Sequence, residues 1–312
     1  MNFLVTGASG LLGSEIIKFK HTIGLTSKDV DLLSSPLESE LTKFLADDFE
    51  IDAVIHCAAR VGGVKANTDY VADFFDDNVR MNVNVLNACK KTGLKLISVL
   101  STCIYPDMPY VNYPLTEDQL HAGPPHSSNF GYAYAKRMLD VQSKACRNQY
   151  GLKYITVVPN NLYGPNDNYD LNSGHVIPSL IRKFHEAKIS NCDQVEIWGS
   201  GKPLREFTFA RDAAKIILWL TENYDHVDAV NIGNPEQISI AELAQTIAEE
   251  IGYEGALVFD KSKPDGQFQK PSSNERLRSL GWEGEYTPLR EGLRETIKSF
   301  VDRYPNVRGV TI

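Results

Sequence analysis

Residues 5–13 read VTGASGLLG, and this stretch decides the fold. It follows an apolar run at residues 2–5 and opens a helical pattern at 11–19. Three glycines separate the two predicted elements: Gly7, Gly10 and Gly13. Glycines let the backbone turn tightly and approach a pyrophosphate, and the helix N-terminus offers free N–H groups. The placement favours a dinucleotide-binding turn over a plain strand–helix turn.

The first 165 residues alternate short β-branched runs with helical patterns. The predicted strands are NFLVT (2–6), TIGL (22–25), AVIHC (53–57), KLISVL (95–100) and YITVVP (154–159). The predicted helices are residues 11–19, 72–92 and 134–150. Such alternation builds a parallel sheet with helices on both faces. We therefore predict an α/β fold, a Rossmann-type doubly wound parallel sheet.

The pattern changes after residue 165, where a smaller C-terminal α/β domain is predicted. Residues 196–209 indicate strand, turn and strand, 211–223 a helix, and 228–233 a strand returning to the first sheet; further helices are predicted near 239–251 and 289–303. We assign 1–164 and 209–233 to the dinucleotide-binding domain, and 165–208 and 234–312 to a substrate-binding domain. The cleft between them is expected at the carboxyl ends of the strands.

Composition narrows the classes of partner and compartment. The chain has 312 residues, a net charge of −8 and no basic block, which argues against nucleic acid as a partner. Its five cysteines are an odd number without CxxC spacing, which argues against a disulfide framework or a zinc site and favours a reducing compartment. No signal peptide or membrane span is predicted. We expect a cytoplasmic protein.

The residues after the second predicted strand bear on the choice of dinucleotide. An NAD site carries an acid there to hold the ribose hydroxyls. Here TSKD (26–29) follows, and Ser27 and Lys28 can donate to a 2′-phosphate. Asp29 complicates this reading, and Lys28 as a solvated loop lysine is the alternative. We expect NADP rather than NAD.

Tyr132 and Lys136 form the only Tyr–Lys pair at i, i+4 spacing among the 14 tyrosines. On a helix the two side chains share a face, so the ammonium can lower the phenol's pKa and hold a nicotinamide ribose. Ser101 ends a predicted strand about 30 residues upstream. Ser101 would donate to a carbonyl oxygen while Tyr132 supplies or takes its proton, which is the arrangement that hydride transfer needs.

These residues resemble the extended short-chain dehydrogenase/reductase family. Seven motifs extend the resemblance essentially end to end to the family of GDP-L-fucose synthases: HCAARVGGVKAN (56–67), LSTCIYP (100–106), NFGYAYAKRM (129–138), PNNLYGPNDN (159–168), HVIPSLIRKFHEA (175–187), WGSGKPLREF (198–207) and KPDGQFQK (263–270). The resemblance implies 3,5-epimerisation and NADPH-dependent 4-reduction of GDP-4-keto-6-deoxy-D-mannose to GDP-L-fucose.

Under this resemblance Cys103 and His175 exchange the protons at C3 and C5, while Ser101 and Tyr132 stabilise the enolate oxygen and Lys136 completes the catalytic set. A thiol can do this work because a nearby cation lowers its pKa from about 8.5. Metal binding by His175 and His185 has no ligand spacing behind it, so no metal is expected.

The resemblance and the nucleotide motif together predict the binding residues and the assembly. NADP(H) contacts are expected at Gly7, Ser9, Gly10, Leu11, Gly13, Ser27, Lys28, Asp31, Leu32, Ala58, Ala59, Val61, Val99, Leu100, Lys136, Pro159, Asn161, Leu162 and His175. Contacts to the GDP-sugar are expected at Lys183, Trp198, Arg205, Asp265 and Lys270. A homodimer is implied through the helices at 72–92 and 134–150.

Two other functions remain open at this point. A sugar-nucleotide 4-epimerase or a simple 4-keto-sugar reductase would use the same Ser/Tyr/Lys set, but neither needs an acid/base pair such as Cys103 and His175. A non-catalytic NADP-sensing or scaffold protein would share the fold, but such proteins commonly lose the Tyr/Lys pair, which this chain keeps.

Overall fold

A six-stranded parallel sheet forms the centre of the computed structural model, which describes residues 1–34, 41–42, 44–45, 50–263 and 265–311. Its strands are β1 (Phe3–Thr6), β2 (Thr22–Leu25), β3 (Ala53–His56), β4 (Lys95–Val99), β5 (Tyr154–Val158) and β9 (Val230–Asn231). They lie in the order β2-β1-β3-β4-β5-β9, and every neighbouring pair is parallel. The predicted doubly wound parallel sheet is confirmed.

Helices cover both faces of this sheet. On one face α1 (Leu11–Ile16) packs against α6 (Ala210–Asn223), and on the other α3 (Val71–Thr92) packs along α4 (Phe130–Tyr150). A short helix, α2 (Val64–Asp69), precedes α3. Because both faces are covered, strands β1, β3 and β5 are buried along their whole length, which explains their continuous apolar runs.

The C-terminal part of the chain forms two small sheets around a second core. β6 (Asn161–Tyr163), β8 (Leu204–Phe209) and β10 (Gln237–Ser239) make a three-stranded sheet, and β7 (Gln194–Trp198) pairs with β11 (Ala256–Asp260). Three helices complete it: α5 (Val176–Ile189), α7 (Ile240–Ile251) and α9 (Leu289–Arg303), whereas the short helix α8 (Glu275–Ser279) packs against β9 of the six-stranded sheet. Ser239 and Glu242 form a capping box that fixes the start of α7.

Two features of this region are not specified by the sequence pattern. The strands at 194–198 and 204–209 do not pair with each other, since β7 pairs in parallel with β11 whereas β8 lies between β6 and β10. In addition, Leu277 and Trp282 pack into the core under the six-stranded sheet. The division into domains at 164, 209 and 233 stays a prediction, and these contacts argue for shifting its boundaries. Pro264, within the motif at 263–270, lies outside the described residues.

Candidate active site

A cavity of about 1390 Å³ runs across the carboxyl ends of the central strands and reaches the two small sheets. The glycine turn after β1 lines one end, and Trp198 and Arg205 line the other. This position follows from the parallel sheet, because the loops after its strands all open at the same edge.

The glycine turn has the shape of a cradle for a bulky group. Gly7 has φ +68°, and a Cβ there would lie 2.8 Å from the backbone of Ala58. A Cβ on Gly13 would lie 2.3 Å from the Gly7 carbonyl oxygen. No side chain caps the first helix at Gly10. The turn therefore needs glycines for its own geometry, and it leaves room in front of the helix for a dinucleotide pyrophosphate.

The turn after β2 uses its acidic residue internally. Asp29 Oδ2 accepts hydrogen bonds from the Thr26 N–H at 2.8 Å and from Thr26 Oγ1 at 2.7 Å. The hydrogen bond from the Thr26 hydroxyl is the main cause that lowers the pKa of Asp29. Ser27 lines the cavity, whereas Asp29 does not. The carboxylate that complicated the choice of cofactor is thus occupied within its own turn.

Ser101, Tyr132 and Lys136 converge at the end of β4. Lys136 Nζ donates to the Val99 carbonyl oxygen at 2.8 Å, and its ammonium lies 5.9 Å from the centre of the Tyr132 ring. Burial raises the pKa of the Tyr132 phenol well above its ordinary value, although a hydrogen bond with Ser101 opposes this. The expected lowering of this pKa by Lys136 is wrong for this structure, because burial dominates. The phenol is held in its proton-donating form.

Cys103 lies beside Ser101, Tyr132 and Lys136, in the short turn that follows β4 and two residues after Ser101. Its N–H donates to Ser101 Oγ at 3.3 Å, and its side chain packs against Phe74 and Tyr132. The Lys270 Nζ lies 3.6 Å from the Cys103 Sγ. The thiol thus sits between the Tyr132 phenol and a cation from the C-terminal part of the chain.

His175 enters the same cavity from the residue that precedes α5. Its imidazole is accessible from the cavity but enclosed by protein elsewhere, and this enclosure lowers its pKa, with the positive charge of Lys270 adding to the effect. A hydrogen bond to the Gly62 backbone holds the ring. Gly63 N–H donates to the Ser173 carbonyl at 2.9 Å, and a Cβ on Gly63 would lie 2.7 Å from the Gly174 carbonyl oxygen. Close packing of these two loops fixes the position of His175.

The far end of the cavity carries an exposed aromatic face and several charges. Lys183 donates to the Glu196 carbonyl at 2.9 Å, and its ammonium lies 5.7 Å from the centre of the Trp198 ring. Arg205 Nη1 donates to the carbonyls of its neighbour Leu204 and of Phe268. Asp265 accepts from the Ser200 N–H at 2.6 Å and thereby closes the turn after β7. A flat apolar surface flanked by cations suits a nucleoside diphosphate.

Comparison with known proteins decides the family. Residues 3–233 match the model of the NAD dependent epimerase/dehydratase family. The chain belongs to this family.

Several relatives of the chain are named GDP-L-fucose synthase. A GDP-L-fucose synthase of Dictyostelium discoideum is 43% identical over 98% of this chain and 97% of its own. A GDP-L-fucose synthase of Sinorhizobium fredii (strain NBRC 101917 / NGR234) is 41% identical over 95% of this chain and 94% of its own. The crystal structure of a GDP-L-fucose synthetase from Naegleria fowleri bound to NADP superposes with a TM-score of 0.87 at 38% identity, covering 98% of this chain and 94% of that chain. The resemblance predicted from the sequence motifs is confirmed.

The cavity brings together all of the predicted site residues except Lys28. Lys28 follows Ser27 in the turn after β2, but its side chain does not line the cavity, and its charge acts on Asp29 instead. Its predicted contact with the cofactor therefore has no support from this geometry. The fold of an epimerase/dehydratase family member thus places residues from seven separate motifs around one space.

Sequence reasoning missed two partners of the predicted acid/base residues. The contact between Lys270 and Cys103 joins residues 167 positions apart. The hydrogen bond from His175 to Gly62 joins two loops. The motif at 56–67 contains the pair Gly62–Gly63, which signals a close backbone approach but gives no indication of its partner.

We expect cofactor binding to depend on pH through the charge of Lys136. Burial lowers the pKa of Lys136 to about 8. The ammonium is present below that value and lost above it, so we expect NADPH to bind about tenfold more weakly at pH 9.5 than at pH 7. Quenching of protein fluorescence by NADPH, titrated from pH 7 to 9.5, measures this. Lys136→Met should remove the dependence; an identical slope in that variant would contradict the role of Lys136.

Proposed function

We propose that this protein inverts C3 and C5 of GDP-4-keto-6-deoxy-D-mannose and reduces C4 with NADPH, which yields GDP-L-fucose. One observation carries the proposal. Cys103 and His175 face the same cavity as Ser101 and Tyr132, so two candidate proton carriers accompany the pair that polarises the carbonyl. A plain reductase or a 4-epimerase needs only the pair that polarises the carbonyl, Ser101 and Tyr132.

The residues at the glycine turn fit the cofactor. Gly7, Gly10 and Gly13 would cradle the pyrophosphate, Ser27 would face the 2′-phosphate, and Lys136 would hold the nicotinamide ribose. The remaining cofactor contacts are proposed at Ser9, Leu11, Asp31, Leu32, Ala58, Ala59, Val61, Val99, Leu100, Pro159, Asn161, Leu162 and His175. When bound, NADPH supplies the hydride for C4.

The acid/base residues act on the sugar. A carbonyl at C4 acidifies the C–H bonds at C3 and C5, and Ser101 and Tyr132 would donate hydrogen bonds to the oxygen as it gains negative charge. Cys103 and His175 would remove a proton from one face and return one to the other. Tyr132, protonated because it is buried, would then deliver its proton to the C4 oxygen during reduction. These steps require no metal.

The GDP part of the substrate would lie at the far end of the cavity. Arg205 would pair with the diphosphate and Trp198 would pack against an apolar face of the ligand. Lys183, Asp265 and Lys270 complete the proposed contacts, although hydrogen bonds to Glu196 and Ser200 already engage the first two.

Product analysis tests the proposed function. The protein is incubated with GDP-4-keto-6-deoxy-D-mannose and NADPH, and the product is compared with authentic GDP-L-fucose by chromatography and NMR. GDP-L-fucose is expected. A GDP-6-deoxyhexose with unchanged configuration at C3 and C5 would make the protein a simple 4-reductase, and no NADPH consumption would favour a non-catalytic role.

We infer that two copies pair through the outer faces of α3 and α4. A stripe of exposed residues at helical spacing runs along α4: Met138, Val141 and Ala145. Two such helices from each copy can form a four-helix bundle. Sedimentation should give twice the chain mass of 34.8 kDa, and Val141→Glu should yield the single chain. A wild-type protein sedimenting as one chain would contradict the dimer.

We propose that the protein acts in the cytoplasm. All five cysteines are free, as expected in a reducing compartment. Among the helices of the described residues, none combines the length and apolar character required to cross a membrane. Fractionation of cells should recover the protein with cytoplasmic markers; recovery with secreted or membrane fractions would contradict this assignment.

A further inference from the structure

Lys270 lies on a strap, residues 269–272, that is anchored on both sides. Tyr113 Oη donates to the Gln269 carbonyl at 2.9 Å, and Leu115 N–H donates to the Pro271 carbonyl at 2.7 Å. Ser272 donates through its N–H and its hydroxyl to the buried Glu206 carboxylate, at 2.9 and 2.6 Å. The backbone on either side of Lys270 is therefore fixed before any ligand binds.

From this strap the Lys270 ammonium reaches the Cys103 thiol, at 3.6 Å from Sγ. Within the described part of the chain, the hydrogen bond of the Lys270 ammonium is to the Cys103 sulfur, and no carboxylate forms an ion pair with it. The nearby Glu206 is tied to Ser272, and the charge of Lys270 helps to keep its carboxylate ionised against burial. Sulfur is thus the closest side-chain partner of this cation.

The other groups facing Cys103 do not replace Lys270. Tyr132 is protonated and neutral. Arg205 interacts electrostatically with Cys103, but its Nη1 donates hydrogen bonds to two backbone carbonyls. Burial lowers the pKa of His175, and the positive charge of Lys270 lowers it further, so the imidazole is neutral near pH 7. Among these groups, Lys270 is the cation in direct contact with the sulfur.

We propose that Lys270 is a positioning residue that holds Cys103 as the thiolate before substrate binds. Resemblance alone made Lys270 a contact of the GDP-sugar, whereas this geometry gives it a partner within the protein. The inference rests on the proposed function of Cys103, because the thiolate is the form that accepts a proton from carbon. An opposite charge within about 4–6 Å favours the ionised form of a group by a factor of about ten or more.

Alkylation of the substrate-free protein tests this proposal. Iodoacetamide reacts with the thiolate, and peptide mass spectrometry follows Cys103 and the exposed Cys192 in the same molecule. In Lys270→Met, Cys103 should react about tenfold more slowly at pH 7 and approach the wild-type rate near pH 9.5. Lys270→Arg should restore most of the rate. Cys192 should react equally in all variants.

Lys183→Met is the matched control, because its ammonium lines the same cavity but donates to the Glu196 carbonyl. It should leave alkylation of Cys103 unchanged. If Lys270→Met does not fold, as judged by circular dichroism, Lys270→Gln takes its place with the same expectation. An unchanged Cys103 rate in the folded variant, together with a raised KM for the GDP-sugar, would overturn the proposal and leave Lys270 as a substrate ligand.

Failure of this inference is distinguishable from failure of the proposed function. If the wild type exchanges the C3 and C5 protons with solvent but Lys270→Met alkylates normally, only the inference is wrong. If the wild type exchanges neither proton, the proposed role of Cys103 itself is wrong, and the thiolate held by Lys270 has no part in epimerisation.

Discussion

Cys103→Ala is expected to stop solvent deuterium from entering C3 and C5 of the sugar and to slow GDP-L-fucose formation by about a thousandfold. The alanine side chain leaves the cavity without one of its two proton carriers, while the Ser101–Tyr132–Lys136 arrangement remains. NMR of the product and of recovered substrate measures the label. The rate of NADPH oxidation should then fall, and any reduced product should keep the original configuration at C3 and C5.

Cys192→Ser is the matched control for this variant, because Cys192 is exposed and does not line the cavity. It should retain wild-type exchange and turnover. Binding of NADPH to Cys103→Ala should be unchanged, which shows that the fold and the glycine turn persist. Normal labelling of C3 and C5 in Cys103→Ala would contradict the acid/base role and return this thiol to a packing role.

Tyr132→Phe is expected to slow the reduction step by a factor of about 10² to 10⁴. The phenol is buried and protonated, and it lies beside Ser101 and below the Lys136 ammonium. Removing its hydroxyl leaves the C4 oxygen without its proton donor. Single-turnover oxidation of NADPH, followed by absorbance after mixing with the 4-keto sugar, gives the rate.

Tyr134→Phe provides the control on the same helix, since Tyr134 lies two residues further and does not line the cavity. It should reduce the substrate at the wild-type rate. NADPH affinity should be similar in both variants, because Lys136 and the glycine turn are untouched. A Tyr132→Phe protein that oxidises NADPH at the wild-type rate would show that another group protonates the C4 oxygen.

The central sheet could be predicted from local sequence because strands β1, β3 and β5 are buried on both faces. Such burial produces continuous apolar runs such as AVIH at 53–56, bounded by turns and helical patterns. The glycine turn was predictable for a similar reason. Its spacing reflects contacts within about fifty residues, such as the approach of Gly7 to Ala58, which tolerate no side chain.

The geometry around Cys103 and His175 could not be predicted in the same way. Lys270 reaches Cys103 from a strap whose anchors, Tyr113 and Glu206, lie in other parts of the sequence. Local patterns carry no information on such long-range contacts. The pairing of β7 with β11 escaped prediction for the same reason, because the strand–turn–strand pattern at 196–209 specifies the turn but not the partner.

Asp29 shows how a local rule can mislead about function. A carboxylate after the second strand suggests a ribose ligand, but Thr26 donates two hydrogen bonds to it and turns it into the cap of its own loop. Conversely, the pKa of Tyr132 depends on burial, which no i, i+4 spacing reveals. The sequence pattern drew attention to Asp29 and Tyr132, but it did not reveal the hydrogen bonds and burial that set their protonation states.

The position of solvent deuterium in the product tests the account most directly. Wild-type protein, GDP-4-keto-6-deoxy-D-mannose and NADPH are mixed in deuterated water, NADPH absorbance is followed, and the product is analysed by NMR. The account predicts one NADPH oxidised per product, with deuterium at both C3 and C5 of GDP-L-fucose. Reduction to a product that carries no deuterium at either carbon would contradict it.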